Sequence, residues 1–153
     1  MRVRLFALSL LACLLASACV GGGDAGPFAD LHLQPAHDTP ADGRAVAVDP
    51  AGGMVYLAPG LTIAGADIVS VHVGADPDPV LDIHVGAAAG RRIEALTANQ
   101  IGKRLAITAN DRVLAVATIT GPVSDAIRIS GETMEEVATM RNAMREPAAD
   151  TAP

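Results

Sequence analysis

Between Gly86 and Met144 the chain carries an ordered series of signals that leaves little freedom in how it folds. Residues 88–98 place Ala89, Ile93, Leu96 and Thr97 on one side and Arg91, Arg92 and Glu94 on the other, which predicts an amphipathic helix. Asn99 and Gly102 end it. Leu105 and Ile107 then alternate with Ala106 and Thr108, the chain turns at Asn110 and Asp111, and Leu114 and Val116 return. A two-residue turn there pairs Ile107 with Leu114 and Leu105 with Val116, so that both strands bury the same face. Gly121 and Pro122 break the second strand, and residues 126–130 supply another. Thr133 with Glu136 forms a capping box that opens a last helix running to Arg145, with Val137, Met140 and Met144 turned inward and Met134 on its flank.

Upstream, Val69, Val71 and Val73 alternate with Ser70 and His72, and Leu81, Ile83 and Val85 alternate with Asp82 and His84. Asp76-Pro77-Asp78-Pro79 lies between them, so a symmetric hairpin sets Val73 against Leu81 and Val71 against Ile83 on the buried side, with His72 against Asp82 on the other. Residues 45–48 and 54–57 flank Asp49-Pro50-Ala51-Gly52-Gly53, a second hairpin signal. Residues 28–33 alternate weakly and open the sheet, 34–44 read as loop, and 61–67 as a bend or single helical turn. The expectation is an α+β domain over 28–146: a mostly antiparallel sheet of β-hairpins with two helices packed on one face.

With 153 residues, 50% of them hydrophobic, one domain buries a sufficient core without disulfides. Aromatic residues make up only 2%, so stacking platforms for bases or sugars are hard to assemble. The formal charge of −6 becomes −8 once the two positive charges of Arg2 and Arg4 are set aside, which repels phosphate backbones and excludes nucleic acid as the expected partner.

Arg2 and Arg4 precede an apolar run over 5–15, of signal-peptide length and too short to span a bilayer. Leu15-Ala16-Ser17-Ala18-Cys19 then resembles a bacterial lipobox, which makes 1–18 a signal peptide and Cys19 an acylated N-terminus. Cleavage after Ala16-Ser17-Ala18 is the competing reading; a cysteine at the cut followed by Val20-Gly21-Gly22-Gly23 favours the lipoprotein. Residues 19–27 form a tether reaching about 25 Å at most, and 147–153 a tail. Cys13 leaves with the signal and Cys19 carries lipid, so no thiol remains for a disulfide, a metal or a nucleophile. The chain is expected to ride on the cell-envelope membrane through its lipid, facing the periplasm, and Val20 after the cysteine points to the outer membrane.

Candidate chemistry is sparse. His72, Asp82 and His84 share a strand face and form a conceivable zinc or iron set, but an exposed polar face is the preferred reading and no metal or other cofactor is expected. Thr97, Asn99 and Lys103 form a candidate polar pocket at a helix end, with helix capping as the alternative. No G-x-S-x-G elbow and no glycine-rich phosphate loop between a strand and a helix occurs, so no catalytic residue is assigned.

Leu61-Thr62 with Asp67-Ile68, Leu96-Thr97 through Asn99 and Gly102-Lys103 to Leu105-Ala106-Ile107, and Ile129-Ser130-Gly131 leading to Thr133 and Glu136 resemble, in order and spacing, the head subdomain of the first periplasmic domain of the SecD/SecDF protein-export family. The resemblance covers roughly 28–145. Asn110-Asp111 stands where that family favours Asp-Gly in the turn, and Val116-Ala117 where Ala-Pro is usual. The resemblance implies a non-catalytic head that contacts emerging polypeptide; the membrane helices and base subdomain of the family are not expected in this chain, so a proton-driven motor is not either. Two classes follow: a lipid-anchored accessory module that touches polypeptide or an envelope protein, and an envelope enzyme or metal-binding protein with an unrecognised site. The first is favoured, and with so few aromatic anchors an exposed sheet edge is the expected means of binding.

Overall fold

The structure, a computed structural model, describes residues 27–75 and 77–145; the expected signal peptide, the expected lipid site Cys19, the expected tether before Pro27 and the expected tail lie outside these residues. Nine strands and two helices follow one another among the described residues: β1 Leu31–His37, β2 Ala45–Val48, β3 Met54–Leu57, β4 Leu61–Ile63, β5 Ile68–Gly74, β6 Val80–Val85, α1 Ala87–Ala98, β7 Arg104–Ala109, β8 Arg112–Thr118, β9 Ala126–Ser130 and α2 Met134–Ala143. Every pairing is antiparallel.

The ladders divide into two sheets. One has the order β2-β3-β1-β7-β8, with β4 also paired to β1; the other has the order β5-β6-β9. A single apolar cluster joins them: Leu31, Leu33, Leu105, Ile107 and Leu114 from the first sheet, Val71, Leu81, Ile83, Ile127 and Ile129 from the second, Ile93 from α1, and Val137, Met140 and Met144 at α2. Both helices thus bury their apolar stripes in one core, at the positions their spacing predicts. Ala29 N–H donates to Met144 O at 2.8 Å, so the two ends of the described domain meet.

The β5–β6 hairpin has the register its pattern predicts, Val73 opposite Leu81, Val71 opposite Ile83 and His72 opposite Asp82. The β2–β3 hairpin turns through Asp49, whose Oδ1 accepts from Ala51 N–H at 2.9 Å. That carboxylate is buried, and Arg104 Nη2 holds it at 2.8 Å while Arg104 Nη1 reaches Asp38. Thr133 caps α2 by accepting from Glu136 N–H at 3.1 Å, and the Glu136 carboxylate reaches back to Glu132 N–H at 2.7 Å.

Three expectations are corrected. Residues 34–37 are strand rather than loop: β1 is the central strand, flanked by β7 on one side and by β4 and then β3 on the other. Pro35 fits there because its missing N–H is no loss where the flanking strand changes, while its carbonyl accepts from Ala58 N–H at 2.9 Å. Residues 61–67 hold the expected single helical turn only at Gly65–Asp67, a 3-10 turn, and begin with a short strand, Leu61–Ile63. The turn sits hard against the segment leading into β1: a Cβ on Gly65 would lie 1.7 Å from Phe28 O.

The third correction concerns register. Asn110 and Asp111 do form the two-residue turn, at φ 48° and 59°, the left-handed values that match strand twist. Beyond it Leu114 is an extra residue, so Ile107 faces Ala115 and Leu105 faces Ala117. This bulge keeps Leu114 in the main core but turns Val116 to the opposite sheet face, where it packs with Ala106, Val55 and Leu57. Asn110 has a second task, since its Nδ2 donates to Ala143 O at 3.0 Å and Arg145 O at 2.8 Å and closes the carboxyl end of α2.

Candidate functional site

Thr97, Asn99 and Lys103 each serve the end of α1, Thr97 buried and Asn99 and Lys103 exposed. Thr97 is 1% exposed. Its Oγ1 donates to Ile93 O and accepts from Val123 N–H, both at 2.9 Å, and so ties the loop over 119–125 to the helix. Asn99 Nδ2 donates to Ala95 O at 2.7 Å. Lys103 is exposed and enters through its backbone: its N–H donates to Gln100 O and its carbonyl accepts from Ile119 N–H at 2.9 Å. Thr97 also lines a cavity between the two sheets.

His72, Asp82 and His84 share the outer face of the three-stranded sheet, as alternation requires. Asp82 is bound there by Arg128, which lies directly across from it on β9. Arg128 Nε donates to Asp82 Oδ1 at 2.7 Å and Nη2 to Oδ2 at 3.0 Å, a two-pronged contact. These hydrogen bonds hold the Asp82 carboxyl below its ordinary value, and the same carboxylate raises Arg128. The His72 and His84 rings stand edge to face, 5.7 Å between centroids, and His72 Nε2 lies 3.1 Å from Ser70 Oγ. Among the described residues no three His, Cys, Asp or Glu side chains are grouped to hold a metal ion. Arg128 was legible as the polar residue within an alternating strand, but its partner required knowing that β9 pairs with β6.

Two cavities follow one another along β8 and β9, and together they mark a cleft between the two sheets. At one end, a cavity of about 290 Å³ is walled by Leu33, Leu105 and Ile107 from the large sheet, Ile93 and Thr97 from α1, and Ile127 from β9, with the loop over 119–123 along its mouth. Its described lining is apolar apart from three threonines and Arg128. At the other end, about 520 Å³ lies among residues 114–116 of β8, residues 130–132, and the turn at 49–51, with Glu132 and Glu136 on its wall. Such walls offer contact area and backbone groups. The Thr97 hydroxyl is already engaged by Ile93 O and Val123 N–H, with no base beside it to activate it as a nucleophile.

No curated protein sequence matches this chain. Among solved structures, the chain resembles that of a membrane component SecDF that enhances protein export, at 19% identity and a TM-score of 0.53, over 78% of this chain and 64% of that one. It also resembles SecDF in a super-membrane-facing form, at 20% identity and a TM-score of 0.53, over 76% of this chain and 19% of that one. These likenesses carry the fold, and the chain spans less than two thirds of either structure's length. Among the described residues no helix is long and apolar enough to cross a membrane. The family described as SecDF, P1 head subdomain, matches residues 42–148, from just before β2 to beyond α2. With its paired sheets, its two helices and this match over more than half its length, the chain belongs to the SecDF P1 head subdomain family.

Proposed function

We propose that the chain is a lipid-anchored accessory module of the bacterial cell envelope that contacts exported or unfolded polypeptide. The observation that carries this reading is the cleft between the sheets, apolar at one end and acidic at the other, in a domain of a family whose solved members include a component that enhances protein export. An apolar wall with few anchoring side chains suits weak, sequence-tolerant binding. Net negative charge favours basic or neutral segments over acidic ones. Anchoring is assigned to Cys19, because a diacylglyceryl group supplies the two chains that stable attachment needs, and the domain faces the periplasm from the outer membrane.

Titration of the purified chain with unfolded polypeptides of opposite charge tests the binding. Micromolar to near-millimolar affinity, stronger for the basic one, is expected; no binding to either by a folded protein refutes it. Cys19→Ser should leave the membrane fraction, and retention equal to the parent refutes the anchor.

A further inference from the structure

β8 and β9 are the outer strands of their sheets, each paired on one side only. In an antiparallel ladder every second residue turns both its N–H and its C=O to the same neighbour. Ile119 N–H donates to Lys103 O at 2.9 Å, so alternation back along β8 turns Ala117 and Ala115 toward β7 and leaves Val116 and Thr118 facing outward. Val85 N–H donates to Asp125 O at 3.0 Å and Gly131 N–H to Pro79 O at 2.9 Å. By the same alternation Ile127 and Ile129 face β6, and Ala126, Arg128 and Ser130 face outward.

These two outward rows line the same cleft. Thr118 lies with Ala126 and Arg128 around its apolar end, and Val116 with Ser130 around its acidic end. As β8 advances from 114 to 118, the residues across from it fall from 132 to 126, so the two edges run in opposite directions. They form no ladder with each other. A cleft whose two long walls both present unpaired backbone donors and acceptors is satisfied by another extended backbone, which offers the matching groups on both of its sides. A helix has no free backbone groups along its flank.

We propose that an extended polypeptide segment inserts between β8 and β9 and pairs with both, joining the two sheets into one. This rests on the polypeptide-binding reading above and assigns its mode. The segment spans the five residues of β9, about 17 Å, antiparallel to one edge and parallel to the other. Small or β-branched apolar side chains on its inner face meet the wall of Leu105, Ile107 and Ile127. A Lys or Arg falls at the end beside Glu132 and Glu136, where charge is complementary; Arg128 at the opposite end is already held by Asp82.

The test uses the full chain and a heptapeptide alternating threonine and valine, capped at both ends, with lysine at each terminus. N-methylating either alternate set of its amides removes the donors toward one edge and should weaken binding about fivefold or more. Thr118→Pro and Ser130→Pro each delete one outward N–H without touching a ladder bond and should weaken the parent peptide similarly, with the fold checked by circular dichroism. Val46→Pro, on the exposed β2 edge, should bind as the parent does. Full binding by either methylated peptide, or by both folded proline variants, overturns insertion, as does a loss confined to Val46→Pro. Equal binding of a glutamate-ended peptide overturns the placement at Glu132 and Glu136. A dimer that Thr118→Pro dissociates puts a second copy in the cleft and overturns the peptide occupant. Unfolded polypeptide that binds regardless of these changes leaves the broader function standing without insertion; heptapeptide that inserts while unfolded polypeptides do not bind leaves insertion standing without that function.

Discussion

Thr97→Val removes one oxygen and keeps the outline of a side chain that is 1% exposed. Its two shorter hydrogen bonds have unequal consequences. Ile93 O keeps the helical N–H of Thr97 as its partner, so losing the hydroxyl costs it little. Val123 N–H has no such reserve, since its acceptor is Thr97 Oγ1 at 2.9 Å. A donor left without acceptor inside the protein costs about 1–3 kcal/mol. The extra buried methyl offsets about 0.8 kcal/mol, which leaves a net loss of about 0.2–2.2 kcal/mol. Urea unfolding measures the sum, and native-state hydrogen exchange at the Val123 amide measures its origin. That amide should exchange faster in Thr97→Val by more than global stability accounts for. Thr97→Ser, which keeps the oxygen and loses a methyl, should lower stability by about 1 kcal/mol without exposing it. If Val123 stays as protected in Thr97→Val as in the parent and stability is unchanged, the hydroxyl does not secure the loop and the reasoning fails.

Ile107→Ala, at a core position 7% exposed, should cost about 2–5 kcal/mol. Thr133→Ala should cost about 1 kcal/mol by removing the α2 cap; near-zero effects of both on urea unfolding contradict the arrangement. Gly65→Ala sets a methyl group against the Phe28 carbonyl, where backbone must move, and should cost more than about 3 kcal/mol or prevent folding; a melting temperature equal to the parent's refutes the close approach. Arg128→Gln should change the acid dependence of stability. The folded Asp82 carboxyl lies below its ordinary value chiefly because Arg128 donates to it. Its contribution is therefore present above the unfolded value of about 3.9 and is lost as pH falls through the lower folded one. The stability gap between parent and variant should be constant well above the unfolded value and narrow as pH falls below it; a gap independent of pH is the contrary result.

Local chemistry made much of this fold legible in the sequence. The β5–β6 register, the turn at Asn110 and Asp111, the Thr133 cap and the inward row of Val137, Met140 and Met144 rest on period, turn residues and caps, each decided by side chains within a few positions of one another. Only the tertiary structure decided what depends on partners distant in sequence. Residues 34–37 read as loop because Pro35 and His37 break the pattern, yet β1 is central because strands far along the chain supply its neighbours. The extra residue Leu114 is invisible to a period-2 reading, because Leu114 and Val116 are both apolar and the sheet has a packed cluster on each face. For the candidate site, spacing placed His72, Asp82 and His84 on one face and Thr97 at a helix end, but gave no sign that Arg128 reaches Asp82 or that Thr97 holds Val123. The cleft arises where two sheets share one core without sharing a ladder, and which edges then face each other is set by long-range packing, which no local pattern encodes.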